Sequence, residues 1–371
     1  MRVLILTCNT GGGHNSCAKA LQDIFTENGH YCEVTDAMGF VSEKLSKFLD
    51  WGHTTMYRHI PKLFRVGYGF AEKHPAMLED DATVYKLLTD GTKQLYHHLQ
   101  AGDFDTVICT HVFSGLLLRQ TFKEYPISMK TAFVATDYTC SPGAANSELD
   151  HYFIPAASLV DEFAAQGVPK EKLTASGIPV RSVFYTQSSK EQAKQALGID
   201  PHHTHLLVMC GSMGCGPLEK LTKLLYKQMD REMELSIVCG TNEKLRESLS
   251  EKFGVFPNVH IHGFVQDIPL LMSSADLYLT KPGGLSTTEA AAKRLPMVFI
   301  DAVAGCEEYN LNYFTSIGGA VTADDPEALA NCCIELLQDS AKRTAMAQAL
   351  QQAVPINAAA QIYESLKEHK S

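Results

Sequence analysis

The sequence predicts an α/β fold with two doubly wound parallel sheets, each covered on both faces by helices. Three observations carry this. Apolar runs of four to six residues alternate with stretches of helical spacing. The pattern is played through twice along the chain, and glycine-rich turns follow directly on several of the runs. Continuous apolar runs, rather than alternating ones, belong to strands buried on both faces, as in parallel sheets.

The first half offers strands at Val3–Thr7, Tyr31–Thr35, Thr106–Thr110, Thr131–Ala135 and His151–Ile154. Between them, Ala18, Leu21 and Phe25 fall on one helical face, and 114–122 is a second helical stretch. The second half offers His205–Cys210, Leu235–Cys239, Val259–Gly263, Leu277–Thr280 and Met297–Ile300. The break falls after Ser176-Gly177-Ile178-Pro179-Val180, with a linker to Gly198-Ile199-Asp200-Pro201. The expected domains are therefore 1–180 and 200–350. The last thirty residues form one or two helices interrupted at Pro355, with 351–371 as a terminal helix. Sheets of this kind bind ligands beyond the carboxyl ends of their strands.

With 371 residues the chain exceeds one ordinary domain, and 45% apolar with 20% charged residues is the composition of a well-cored globular protein. No apolar run approaches the ~18 residues of a membrane span. The run Val3–Leu6 behind the single Arg2 is too short for a signal peptide, which points to a mature cytoplasmic N-terminus. None of the eleven cysteines forms a C-x-x-C pair, and Cys8, Cys109, Cys210 and Cys239 sit inside apolar runs. They are expected to be reduced core residues, with no zinc site. A net charge of −10 argues against nucleic acid as a partner.

Three turns carry chemistry. Thr10-Gly11-Gly12-Gly13-His14-Asn15-Ser16 follows the first strand and opens a helix, where bare glycine backbone and unpaired N–H groups favour an anionic or polar ligand. His14 there is a candidate general base. A dinucleotide fingerprint is the competing reading, with Asp36 ending the second strand where a ribose-binding acid belongs. A histidine that only caps the turn is the bland one. Cys210-Gly211-Ser212-Met213-Gly214 repeats the phosphate-loop pattern in the second half. The most specific turn is Lys281-Pro282-Gly283-Gly284-Leu285-Ser286-Thr287-Thr288-Glu289-Ala290. Its glycines and hydroxyls suit a diphosphate, and Glu289, one turn inside the helix, suits the two hydroxyls of a ribose. A simple capping box is compatible with both roles. Asp103-Phe104-Asp105 matches a D-x-D metal motif in letters only, since it occupies the turn before a strand.

These segments, with Val134-Ala135-Thr136-Asp137-Tyr138, Ser176–Val180, His262-Gly263-Phe264-Val265, Ile268-Pro269 and Gly305 through Asn310, resemble a glycosyltransferase family. It includes the peptidoglycan lipid-intermediate GlcNAc transferase and, more closely, the diacylglycerol galactosyl- and glucosyltransferases of the monogalactosyldiacylglycerol synthase type. The resemblance covers nearly the whole chain. It implies a GT-B fold, an inverting mechanism, a UDP-sugar donor, no essential metal, and a C-terminal helix that packs back onto the first domain. By position, Gly211, Ser212, Ser286 and Thr287 would hold the diphosphate, Glu289 the ribose, and Phe264 and Val265 the uracil, with Met213, Gly283 and Gly284 also donor-binding. Glu307, Glu308 and Asn310 would meet the sugar hydroxyls. His14 would be the base and Asp137 its orienting partner or a second acid–base group, with Gly12 and Gly13 on the acceptor side. Two positions depart from the family: Cys306 stands where glutamine is common, and Ser141-Pro142-Gly143 replaces an aromatic-rich acceptor loop.

Between 41 and 75 six basic residues (Lys44, Lys47, Arg58, Lys62, Arg65, Lys73) face three acids, among aromatics that include Phe64 and the only tryptophan, Trp51. Such a stretch suits an anionic membrane surface; apolar residues turned to the core with a solvated basic face are the alternative. The expected activity is hexose transfer from UDP to diacylglycerol by a cytoplasmic enzyme bound peripherally to the inner face of the membrane. GlcNAc transfer to a polyprenyl-linked acceptor, a UDP-sugar 2-epimerase, a non-catalytic sugar-nucleotide sensor and an NAD-dependent oxidoreductase remain as alternatives.

Overall fold

A computed structural model of the chain describes residues 1–9, 12–42, 44, 46, 73–186, 189–211, 217–300 and 305–368. It divides into two compact units. One comprises Met1–Ser182, Val303–Tyr309 and Pro355–Ser371, the other Val183–Ala302 and Asn310–Val354.

The first unit is built on six parallel strands: β1 (Arg2–Thr7), β2 (Tyr31–Asp36), β3 (Thr106–Cys109), β4 (Lys130–Val134), β5 (His151–Ile154) and β6 (Leu173–Ala175), in the order β2-β1-β3-β4-β5-β6. Val3, Leu4, Ile5 and Leu6 of β1 are all completely buried, so this central strand is covered on both faces. The helix Gly12–Glu27 turns Cys17, Ala18, Leu21 and Phe25 inward, and Val112–Glu124 buries Leu116, Leu117 and Leu118. The strand order reverses between β1 and β3, and that switch point is where a sheet of this kind leaves a crevice at its carboxyl edge.

The terminal helix Ala358–Glu368 also belongs to this unit. Tyr363 lies edge-on to Phe25, with ring centres 5.4 Å apart, and its hydroxyl is 3.2 Å from His30 Nε2. The chain reaches it past Pro355, and the approach depends on Gly177. That residue has φ +87°, and a Cβ on it would lie 3.2 Å from Pro355 and 3.3 Å from Ala358.

The second unit carries β7 (Thr204–Met209), β8 (Met233–Val238), β9 (Val259–His262), β10 (Leu277–Thr280), β11 (Met297–Phe299) and β12 (Ala320–Thr322), all parallel, in the order β12-β11-β10-β7-β8-β9. This is the doubly wound dinucleotide-fold order, with its switch point between β7 and β10. Its core joins Leu206, Val208, Leu235, Ile237, Leu277 and Leu279 of the sheet to Leu221 and Leu225 of the helix Leu218–Gln228.

Ten of the twelve strands coincide with the apolar runs of the sequence to within two residues at either end. The other two, β6 and β12, are three-residue edge strands with partly exposed side chains, and nothing in Leu-Thr-Ala or Ala-Val-Thr forms an apolar run. Asp103-Phe104-Asp105 lies at the amino end of β3, opposite the switch point. Asp103 ends a helix in the left-handed region at φ 48°, and the Asp105 carboxylate accepts from Arg2 N and Thr106 Oγ1. No described helix is long and apolar enough to cross a membrane.

Candidate active site

The loop after β1 is tied down by polar side chains before it delivers His14. Thr7 Oγ1 donates to Asn15 Oδ1, Asn15 Nδ2 to Asn9 Oδ1, and Asn9 Nδ2 to Asp36 Oδ2. Asp36 is used up in this role. Its carboxylate also takes Met38 N and Ser46 Oγ, capping the short helix Ala37–Val41, which removes the residue that a dinucleotide reading needs for the ribose.

His14 sits at the switch point of the first sheet, in the first turn of Gly12–Glu27. Its Nδ1 is 2.8 Å from the carbonyl oxygen of Thr110, at the end of β3, and 3.1 Å from Thr136 Oγ1, beyond β4. A carbonyl only accepts, so Nδ1 carries the proton, Thr136 Oγ1 is a second acceptor, and Nε2 keeps its lone pair. Among the described residues none bonds Nε2. Burial pushes the pKa of His14 below the usual histidine value, partly opposed by the Thr110 hydrogen bond. The imidazole is thus neutral and held through one nitrogen, with the other ready to take a proton. His111 crosses its ring edge-on at 4.6 Å and caps the helix Val112–Glu124 by accepting from Phe113 N. Gly12 and Gly13 lie in the same first turn, where helix N–H groups have no partner within the helix.

Asp137 follows Thr136 directly. The Cys306 thiol hydrogen-bonds its carboxylate; burial first, and then that carboxylate, push the thiol's pKa far up, so Cys306 remains protonated. Cys306 opens the helix Cys306–Ser316 after Gly305 at φ 55°. On the same turn Glu307 is buried and Glu308 exposed.

In the second unit the predicted donor residues gather at the carboxyl edge of the second sheet. Gly211, at φ 69°, leaves the β7–β10 switch point; Ser212 and Met213 lie outside the described residues. Gly283 is the N-cap of Gly284–Ala292, whose first turn presents open N–H groups at Gly284, Leu285 and Ser286. Ser286 is partly exposed. Thr287 is fully buried, with its hydroxyl donating to the carbonyls of Gly283 and Gly284, so it braces the turn from inside. Asn310 is likewise buried: its Nδ2 donates to Pro282 O at 2.9 Å and fixes the approach to Gly283. Glu289 is partly exposed one turn further on. Phe264, after β9, is 68% exposed, unusual for so large an apolar side chain and available for stacking on a base, with Val265 half-buried beside it.

Trp51, Lys62, Phe64 and Arg65, with nearly all of the basic aromatic stretch, lie outside the described residues, as does Gly11. Thr110, Thr136 and His111 escaped the sequence reading, although each immediately follows or ends an apolar run, which is where a parallel sheet places ligand-facing groups. Among the described residues no group of three His, Cys, Asp or Glu side chains is arranged to hold a metal ion. The ten described cysteines form no disulfide.

Comparison with known proteins agrees with this layout. Residues 14–180 match the monogalactosyldiacylglycerol (MGDG) synthase family and residues 218–353 match glycosyl transferases group 1. A processive diacylglycerol beta-glucosyltransferase of Staphylococcus saprophyticus is 27% identical over 94% of this chain and 88% of its own. One of Bacillus thuringiensis is 29% identical over 94% and 89%. Among solved structures, Acinetobacter baumannii MurG superposes with a TM-score of 0.65 at 15% identity, covering 99% of each chain. Anabaena Alr3699/HepE, in complex with UDP, superposes with 0.59 at 16% identity, covering 99% of this chain and 100% of its own. The chain is thus similar to monogalactosyldiacylglycerol synthases over 14–180, to glycosyl transferases group 1 over 218–353 and to diacylglycerol glucosyltransferases over nearly its whole length, and it has the GT-B fold.

Proposed function

We propose that this enzyme moves a hexose, glucose or galactose, from a UDP-sugar to the free hydroxyl of diacylglycerol at a membrane surface, with inversion at the sugar carbon. The observation that carries the mechanism is His14, a neutral imidazole held by Nδ1 at the first sheet's switch point with Nε2 unclaimed among the described residues. Nε2 takes the proton of the acceptor hydroxyl as its oxygen attacks C1 of the sugar, and the C1–O bond to UDP breaks on the opposite face. Thr110 and Thr136 stabilise the imidazolium that forms by accepting from Nδ1–H. Asp137 is the orienting partner or second acid–base group of this site, its carboxylate accepting from the Cys306 thiol.

The departing diphosphate is assigned to the open N–H groups of Gly284, Leu285 and Ser286, and Glu289 to the ribose hydroxyls. This scheme calls on no essential metal. Phe264 and Val265 are assigned to the uracil, and Glu307 and Glu308 to the sugar. The diacylglycerol glucosyltransferase relatives, aligned over 94% of the chain, support the lipid acceptor. The basic residues of 41–75, Lys62 and Arg65 among them, with Trp51 and Phe64, are assigned to membrane docking on the cytoplasmic face.

The test is incorporation of label from UDP-glucose, UDP-galactose and UDP-GlcNAc into lipid, in phosphatidylcholine vesicles with and without diacylglycerol. A glycolipid formed from a hexose donor, and only with diacylglycerol present, is expected. Lipid product from UDP-GlcNAc alone, or none from any donor, would overturn the reading.

A further inference from the structure

Away from the switch point, the second unit carries an open groove of about 820 Å³ between the helices Leu218–Gln228 and Glu243–Phe253. Its floor is apolar: Leu218, Tyr226 and Leu245 meet Phe253 and Phe256, with Tyr226 stacked on Phe256 at 4.1 Å. Its rim is basic. Lys220, Lys223 and Lys227 recur at helical spacing along the exposed face, and Lys252 reaches in from the second helix.

Charge and shape here run against the rest of a chain that is acidic overall. The only carboxylate of the lining, Glu219, is already claimed by Lys252 and by Ser248 Oγ. No described carboxylate lies within ion-pair distance of Lys220, Lys223 or Lys227, although Lys220 acts at longer range on Asp325. Val255, between the two floor phenylalanines, is 77% exposed, so the apolar surface continues out of the groove. An apolar floor with an apolar lip and unclaimed cations around it fits a molecule with an anionic head and a hydrocarbon body. A nucleic acid would present its bases to ring faces, but here Tyr226 and Phe256 turn a face to each other, and Phe253 lies edge-on to Tyr226 and is buried.

We infer that this groove holds an anionic phospholipid of the bilayer, giving the second unit its own membrane contact. The inference rests on the proposed function only in taking the acceptor to be a membrane lipid. It is independent of the 41–75 stretch.

The full-length protein, without UDP-sugar or diacylglycerol, is mixed with vesicles of phosphatidylcholine alone or with phosphatidylglycerol added, and amide hydrogen exchange is followed. Slower exchange in peptides covering 218–228 and 243–256 is expected with phosphatidylglycerol and not without it. The triple variant K220Q/K223Q/K227Q keeps side-chain length and helix propensity. Its partition to phosphatidylglycerol vesicles is expected to fall by about tenfold or more, with UDP affinity unchanged as the check on folding. Partition within about twofold of the unaltered protein, or protection that ignores the lipid headgroup, overturns the inference. So does protection of these peptides by inorganic phosphate or oligouridine when vesicles give none. Transfer to diacylglycerol in pure phosphatidylcholine vesicles is scored separately, so failure of the groove and failure of the transferase reading give different results.

Discussion

His14 in the first unit and His205 in the second are both imidazoles with the proton on Nδ1, both held neutral by burial, yet only one is placed to react. His205 lies on β7, fully buried, with Nδ1 3.0 Å from Ser274 Oγ and Nε2 2.8 Å from Ser236 Oγ. Ser274 spends its own proton on Leu271 O, so it accepts from Nδ1, and Ser236 must donate to Nε2. Both nitrogens are consumed. His14 has acceptors only at Nδ1, and its Nε2 meets no described donor. What separates the proposed base from a structural histidine here is the partner count of one nitrogen, since depressed basicity is common to both.

Alanine at each position should split the two roles. His14→Ala removes the proposed base and is expected to lower kcat by about 10²–10⁴-fold, leaving UDP affinity and the urea midpoint near those of the parent. His205→Ala strands two buried serine hydroxyls and leaves a cavity, at a cost of about 2–4 kcal/mol of stability, with kcat per folded molecule unchanged. Urea unfolding and steady-state kinetics on the same preparations decide it. A His14→Ala enzyme with full turnover would place the proton acceptor elsewhere, with Asp137 the next candidate.

The next largest effect separates the same pair by pH. Burial, the dominant cause, takes the pKa of His205 down to about 3, against an unfolded value of ~6.5. Between those values the unfolded chain binds the extra proton. The stabilisation is therefore complete above pH ~6.5 and is lost as pH falls toward ~3, at up to ~1.4 kcal/mol per pH unit. From pH 7 to pH 5 this amounts to about 2 kcal/mol. His205→Asn, without a titrating ring, should lose about that much less over the same range. For His14 the sign appears in rate. The neutral form is the active one and its pKa is lowered, so the acid limb of kcat/KM should fall below the ordinary histidine value. An acid limb above pH ~6.5 would mean that a different group governs the rate.

The comparison also shows what the sequence alone could carry. Apolar runs located ten strands because a strand buried on both faces has no other way to be written, while the two short edge strands left no such mark. His14 stood out because three glycines precede it, and its helix then placed it as expected. Its partners did not stand out. Thr110 contributes a carbonyl, which every residue has, and Thr136 contributes a hydroxyl that matters only once β3 and β4 lie side by side in the sheet. Asp36 shows the converse: a residue type in the right place for a ribose, spent on capping a helix that the letters alone do not reveal. Thr287 and Asn310 matched a family position and proved buried, because sequence position fixes where a backbone goes more firmly than where a side chain turns. The lysine-rimmed groove left no motif at all, since its rim comes from two separate helices, Leu218–Gln228 and Glu243–Phe253.

The smallest expected effect tests the second acceptor on His14. Thr136 Oγ1 lies 3.1 Å from Nδ1, longer than the 2.8 Å to Thr110 O, so it receives the weaker share of a divided hydrogen bond. Its worth in the neutral enzyme is small, but it grows as Nδ1–H becomes part of an imidazolium, which places the interaction in the transition state. Thr136→Val keeps the volume and deletes the acceptor. It should lower kcat by about three- to tenfold, equivalent to roughly 0.7–1.4 kcal/mol, and move the acid limb of the pH profile further down, because the charged form loses support. KM for the UDP-sugar should hold, since the residues assigned to the nucleotide, Gly284 to Glu289 and Phe264, lie in the other unit. If kcat falls with no movement of the acid limb, Thr136 acts by packing alone, and the Thr110 carbonyl by itself sets the tautomer of His14.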